Sequence, residues 1–118
     1  MKLINTYELV IKKSKFIAYY YEVTTQDEVK EVINYLKEEH KKARHIPYSY
    51  KLTNTAGRSD DKEPSGTAGT PIYNIMEYNN LENKFIAVVR YFGGTKLGAG
   101  NLLRAYMNSA KEVIKKQD

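Results

Sequence analysis

Residues 85–92 read Phe-Ile-Ala-Val-Val-Arg-Tyr-Phe, a nearly unbroken apolar run rich in β-formers, and no other stretch constrains the fold as much. A run of this length without polar alternation fits a strand buried on both faces, which places it inside a sheet rather than at its edge. Glycines follow at Gly93, Gly94, Gly98 and Gly100. Leu102, Leu103, Tyr106, Ala110, Val113 and Ile114 then recur at helical spacing, with Lys115 and Lys116 suited to the negative end of a helix dipole. Strand, glycine-rich turn and amphipathic helix form a unit around which the remaining elements have to be arranged.

Upstream, Tyr7, Leu9 and Ile11 alternate with their neighbours, and after Lys12-Lys13-Ser14-Lys15 a second β-rich stretch covers Phe16 to Val23, which predicts an antiparallel hairpin. Thr25 followed by Glu28 has the spacing of a capping box, and Val29, Val32, Ile33 and Leu36 give the apolar face of a helix ending near His40. Tyr48, Tyr50 and Leu52 predict a further strand just after Pro47, followed by a polar stretch from Thr53 to Glu63. Ile72, Ile75 and Met76 are spaced for a short helix, provided that Pro71 lies in its first turn. The expected order is β-β-α-β-α-β-α. The expected architecture is an α+β two-layer sandwich, a four-stranded sheet with its helices mainly on one face. Strand order does not follow from the pattern.

With 118 residues, 42% hydrophobic, and only three Pro and seven Gly, the chain has the size and composition of one folded domain over residues 1–118. The lack of cysteine excludes disulfides, thiolate metal sites and thiol nucleophiles. The N-terminal stretch has neither a signal-peptide core nor a spanning apolar run, so a cytoplasmic protein is expected. A formal charge of +5 permits attraction to RNA, ribosomes or other anionic surfaces. Eleven tyrosines stand without a single tryptophan, and sheet packing is expected for most of them.

Three constellations carry candidate chemistry. Asp60, Asp61 and Glu63 precede a helix start rich in small polar residues, where free N–H groups and the hydroxyls of Ser65, Thr67 and Thr70 suit a phosphate. The carboxylates equally suit capping, pairing with a cation, or a divalent ion that bridges to phosphate. Around the glycine-rich turn, Gly93, Gly94, Gly98 and Gly100 permit close backbone approach, and Arg90, Lys96 and Arg104 can converge on an anion. The plainer reading is a tight turn and helix packing, with Arg90 paired to Asp61 or Glu63. Dinucleotide and nucleoside-triphosphate fingerprints are both unmet. In the third constellation, His40 and His45 lie five residues apart, a poor spacing for two metal ligands on one helix, so neither metal nor cofactor is expected. His45, facing the acidic segment, is the candidate proton donor or acceptor.

These same residues resemble the N-terminal domain of the YigZ/IMPACT family, whose marks are a K-S-K-F-I-A-like second strand, H-x-x-A-x-H, D-D-G-E-P-S-G-T-A-G-x-P-I and R-Y-F-G-G-x-K-L-G-A-G-G-L-x-R-A-Y. They stand here at Lys13 to Ala18, His40 to His45, Asp60 to Ile72 and Arg90 to Tyr106. Lys62 and Asn101 replace two of the family's glycines. The resemblance implies a two-layer fold similar to domain four of elongation factor G. It also implies a role in translation like that of eukaryotic members, which compete for the activator of a stress-responsive initiation-factor kinase. Bacterial members usually carry a second, ferredoxin-like domain that is expected to be missing here, the chain being a natural single-domain form or a shortened one.

Three functional expectations follow. The first is a module contacting RNA, the ribosome or a translation factor through Arg90, Gly93, Gly94, Lys96, Gly98, Gly100, Arg104, Ser65 and Thr67. The second is an enzyme for a phosphate-containing or other small polar substrate, with His45, Asp60, Asp61 and Glu63 as catalytic candidates. The third is a protein-interaction domain competing for a partner in translation control. Oligomeric state does not follow from the sequence.

Overall fold

The computed structural model describes residues 1–115, so Lys116 lies outside the described residues. The elements are β1 (Lys2–Ile11), β2 (Ser14–Glu22), α1 (Gln26–Glu39), β3 (Tyr48–Lys51), β4 (Ala56–Ser59), α2 (Gly69–Tyr78), β5 (Lys84–Tyr91) and α3 (Ala99–Val113). The five strands form one sheet in the order β1-β2-β5-β3-β4, with every neighbouring pair antiparallel.

The strand anticipated from residues 85–92 is β5, the centre of the sheet, buried along all but its first and last residues. Alternation along it feeds two cores. Ile86 and Val88 join Phe16, Ala18 and Tyr20 beneath α2 and α3, while Phe85, Ala87 and Val89 join Tyr21 beneath Val29, Val32 and Leu36 of α1. The chain is therefore a mixed α+β fold with helices on both faces of the sheet, and the expected two-layer, four-stranded sandwich is corrected in both respects. A central strand that is apolar on both sides needs a cover on each side, and α1 supplies the second.

The fifth strand is β4, inside the polar stretch from Thr53 to Glu63 for which no strand was expected. Ala-Gly-Arg-Ser has no β-former to announce it. The strand exists through its ladder to β3, and Gly57 lies so close beneath the Tyr50 ring that an added Cβ would fall 2.5 Å from the hydroxyl oxygen. Pro71 lies in the first turn of α2, and Thr25 caps α1 by accepting from the Glu28 N–H at 3.1 Å, both as expected. Seven of the eleven tyrosines lie on strands, in line with their β preference.

Candidate functional site: a basic cleft over a buried ion pair

Arg90 is the next residue after Ile86 and Val88 on the α2/α3 side of β5, so its guanidinium enters the core where a valine or isoleucine would otherwise lie. The segment before β3 runs along its backbone: Arg90 N–H donates to the His45 carbonyl (2.9 Å) and Arg44 N–H to the Arg90 carbonyl (2.8 Å). This pairing brings His45 beside Arg90 although 45 residues separate them.

The turn from Asp60 to Glu63 supplies the counter-charge. Arg90 Nη1 donates to Glu63 Oε1 at 2.9 Å and Oε2 at 2.7 Å, and the Tyr106 hydroxyl from α3 donates to Oε2 as well. Arg90 and Glu63 are each only 6% exposed, which leaves this carboxylate and this guanidinium dependent on one another. Burial, together with the Glu63 hydrogen bond and charge, pushes the Tyr106 hydroxyl far above its ordinary range, so it remains a donor. His45 Nδ1 lies 2.7 Å from the Asp61 carbonyl. A carbonyl only accepts, so Nδ1 carries hydrogen, and Nε2 is turned towards Glu63 Oε1 at 3.4 Å.

The other two carboxylates fasten the same turn. Asp60 Oδ1 accepts from the N–H groups of Ala68 (3.2 Å) and Gly69 (2.8 Å), and Oδ2 from Gly66 (3.0 Å). Burial alone would raise Asp60, but these three amides and the nearby Arg58 charge hold it below the ordinary carboxylate value. Asp60 thus occupies N–H groups at the start of α2, in keeping with the capping alternative for this segment. Asp61 Oδ2 accepts from the Ile46 N–H at 2.7 Å. The Thr67 hydroxyl donates to the Pro64 carbonyl at 2.6 Å, and Ser65 is exposed on the surface of the turn.

Between this turn and the start of α3 lies a cleft of about 370 Å³, bordered by Arg44, Lys62, Arg90 and Lys96 and by the Leu97-Gly98-Ala99 segment. Gly98 is the N-cap residue of α3 at φ +81°, no side chain caps this helix, and its first turn holds no acidic residue. Its leading N–H groups and positive dipole end thus border the same cleft as these cations, which the buried Glu63 also lines. Arg90 Nε is buried and has no hydrogen-bond partner among the described residues.

Of the three cations expected to converge, Arg90 and Lys96 do. Arg104 does not border the cleft and instead donates to Asn101 Oδ1 at 2.9 Å on the exposed side of α3. Gly93 packs rather than binds, since a Cβ there would lie 2.2 Å from the Lys13 carbonyl carbon. Gly94 adopts φ +91° in the turn, and a Cβ on Gly100 would meet only the Arg104 side chain at ordinary distance. Sequence reasoning did not single out Arg44, and it placed Tyr106 on the apolar face of the last helix without a polar role. His40 is separated from His45: its ring nitrogens lie 2.7 Å from the hydroxyls of Tyr19 and Tyr91, which tie the end of α1 to the sheet.

The Impact N-terminal domain family model matches residues 12–114, so the chain belongs to the IMPACT family through its N-terminal domain. IMPACT family member YvyE of Bacillus subtilis (strain 168) is 40% identical over 117 residues, covering 97% of this chain and 54% of that protein. The chain thus spans about half the length of the curated relatives it matches. A solved crystal structure of a hypothetical protein superposes with a TM-score of 0.89 at 31% identity, over 96% of this chain and 59% of that one. The two-domain translational regulator Yih1 shares the fold at a TM-score of 0.55 and 21% identity, over 96% of this chain and 45% of that one. The expected likeness to domain four of elongation factor G is not supported by these comparisons.

Proposed function

We propose that this domain is a binding module of translation control whose basic cleft takes an anionic partner, RNA in the first instance. One observation carries the reading: Arg44, Lys62, Arg90 and Lys96 line one cleft together with the start of α3, whose first turn holds no acidic residue. The family link to a regulator of translation supports the biological setting. The alternative of a hydrolytic or proton-transfer site is less favoured. Asp60 and Asp61 hold backbone amides, Glu63 holds Arg90 and Tyr106, and His45 Nδ1 is committed to a carbonyl. His45 Nε2, 3.4 Å from Glu63 Oε1, lies outside these hydrogen bonds and is the atom such a reading would have to use.

The test is a titration with single-stranded RNA at two salt concentrations, followed by backbone amide shifts. Arg90 is neutralised by Glu63, which leaves three cations to meet phosphates. The expected salt slope is then about −2, equivalent to a loss of roughly 20-fold between about 50 and 200 mM salt. Amides of Gly98 to Asn101 should shift. Binding that is indifferent to salt, or shifts confined to other surfaces, would overturn the reading in favour of a protein partner.

A further inference from the structure

The helices α2 and α3 carry more apolar surface than the sheet beneath them requires. Ile72 and Met76 of α2, with Leu102, Tyr106, Ala110 and Val113 of α3, fill the core. Offset by one position on each helix runs a second apolar stripe, Pro71, Ile75 and Tyr78 on α2 and Leu103, Met107 and Ile114 on α3, again at helical spacing. These second stripes line a groove between the two helices. It holds two hollows of about 280 and 500 Å³, which share Ile75, Tyr78 and Met107 and are therefore continuous. Tyr78 is 85% exposed and Leu103 39%. Contiguous apolar surface rimmed by polar residues, here Asn74, Asn79 and Lys111, marks a docking site. Neither hollow shares a residue with the basic cleft.

We infer that this groove receives an amphipathic α-helix of a protein partner, with an acidic side chain at the end that lies against Lys111. From Leu103 to Ile114 the α3 wall runs about 16 Å, three turns of an incoming helix, and two side-by-side helices accept a third by interlocking ridges and grooves. An extended strand would find no ladder here, because the backbone of both walls is hydrogen-bonded within its own helix. Charge sets the direction. Among the described residues no carboxylate lines either hollow, and Glu77, next to Tyr78, is held by Lys51 and the Tyr73 hydroxyl. Lys115 is paired with Glu112, whereas Lys111 has no ion-pair partner among the described residues. The groove is thus apolar at its Leu103 end and cationic at its Ile114 end. Twofold pairing with a second copy would set one lysine-bearing groove against another without a carboxylate in the lining to receive either. Nucleic acid is equally ill matched, since one unpaired cation on an apolar wall neutralises little of a phosphate backbone.

The experiment selects binders to the whole chain from a randomised library of staple-stabilised helical peptides of about 15 residues, then titrates the selected peptides while following the amides of Asn74, Tyr78, Leu103, Met107 and Lys111. Selected sequences should carry apolar residues at i, i+3 or i+4, and i+7, with an acid near one end, and should shift those amides. Tyr78→Ala and Leu103→Ala, both at exposed positions, should keep the fold by circular dichroism and each weaken such a peptide at least about tenfold. Lys111→Glu should weaken it too, and a peptide whose acid is changed to lysine should recover binding to that variant. A merely structural role for Lys111 gives no such recovery. Sedimentation equilibrium of the free chain should show a monomer. A dimer that Tyr78→Ala dissolves gives the groove to a second copy and overturns the inference, and an RNA that shifts the groove amides and displaces the peptide overturns it as well. So does an empty selection, or one whose peptides bind Tyr78→Ala and Leu103→Ala as tightly as the unaltered chain.

Discussion

Removing the Glu63 carboxylate tests the core of this structure most directly. In Glu63→Ala the Arg90 guanidinium keeps its charge, stays 94% buried, and loses two Nη1 contacts of 2.9 and 2.7 Å in addition to the Nε that already lacks a partner. Stranding one half of a buried ion pair costs about 3–5 kcal/mol. That is a large part of the roughly 5–15 kcal/mol by which domains of this size are stable. The Tyr106 hydroxyl also loses its acceptor, so the upper half of the range is expected. At about 4 °C for each kcal/mol, the midpoint of thermal unfolding should fall by about 16–20 °C.

Urea unfolding followed by far-ultraviolet circular dichroism is the appropriate assay, since the chain has no tryptophan to report. A double-mutant cycle with Arg90→Met separates the pair from its surroundings. The double variant should recover at least about 2 kcal/mol relative to the sum of the two single variants. If Glu63→Ala costs less than about 1 kcal/mol, or if the cycle is additive, the two groups are not each other's compensation and the account of the cleft floor is wrong.

Four further outcomes follow from the same geometry. Asp60→Ala removes the acceptor for three N–H groups at the start of α2 and should cost about 2 kcal/mol in the same urea assay. Gly93→Ala drives a Cβ against the Lys13 backbone at 2.2 Å and should cost about 1–3 kcal/mol, with amide shifts spreading to the β1–β2 turn. Lys62 sits at φ +70°, so Lys62→Gly should stabilise the fold by about 0.5–1 kcal/mol while lessening the RNA salt slope by about 0.7. Burial lowers the His40 pKa below its ordinary 6.5, so the unfolded chain takes up this proton first as pH falls. Its contribution is complete above pH 6.5 and lost on acidification through the window beneath that value. His40→Gln should flatten stability against pH there, as urea unfolding across that range would show.

The parts of the fold legible in the sequence were those where side-chain pattern and backbone demand coincide. The β5 run, the Thr25 cap, Pro71 at the start of α2 and the apolar face of α3 each carry a local signal that the tertiary structure agrees with. The strand β4 had none, because Ala-Gly-Arg-Ser is held by its partner strand and by the Tyr50 ring rather than by its own preference. The third layer was implied by the double-sided burial of β5, yet it was lost when the helices were assigned mainly to one face. At the site, proximity in sequence misled: Arg104 seemed to flank the loop, but helical rotation turns it outward, whereas Arg44 arrives through pairing with Arg90. Asn101, one of the two replaced glycines, lies within α3. Lys62 is the replaced glycine position at which the left-handed angle occurs.

The buried pair is better understood as a device of the site than as a source of stability. Apolar residues of similar volume in its place would often leave a fold equally stable or more so, because desolvating two charges consumes most of what their attraction returns. The position on β5 demands nothing polar, since Ile86 and Val88 line the same face with aliphatic side chains. Glu63 with Tyr106 fixes one end of the guanidinium of Arg90, a residue that borders the cleft. A cation fixed in this way keeps its orientation before any ligand arrives, so less ordering is required on binding. The exposed Lys62 and Lys96 contribute charge that salt can screen, whereas Arg90 contributes a directed donor that salt screens much less. The salt-sensitive and salt-resistant parts of the affinity should therefore separate by residue, the lysines governing the slope and Arg90 the part that persists at high salt.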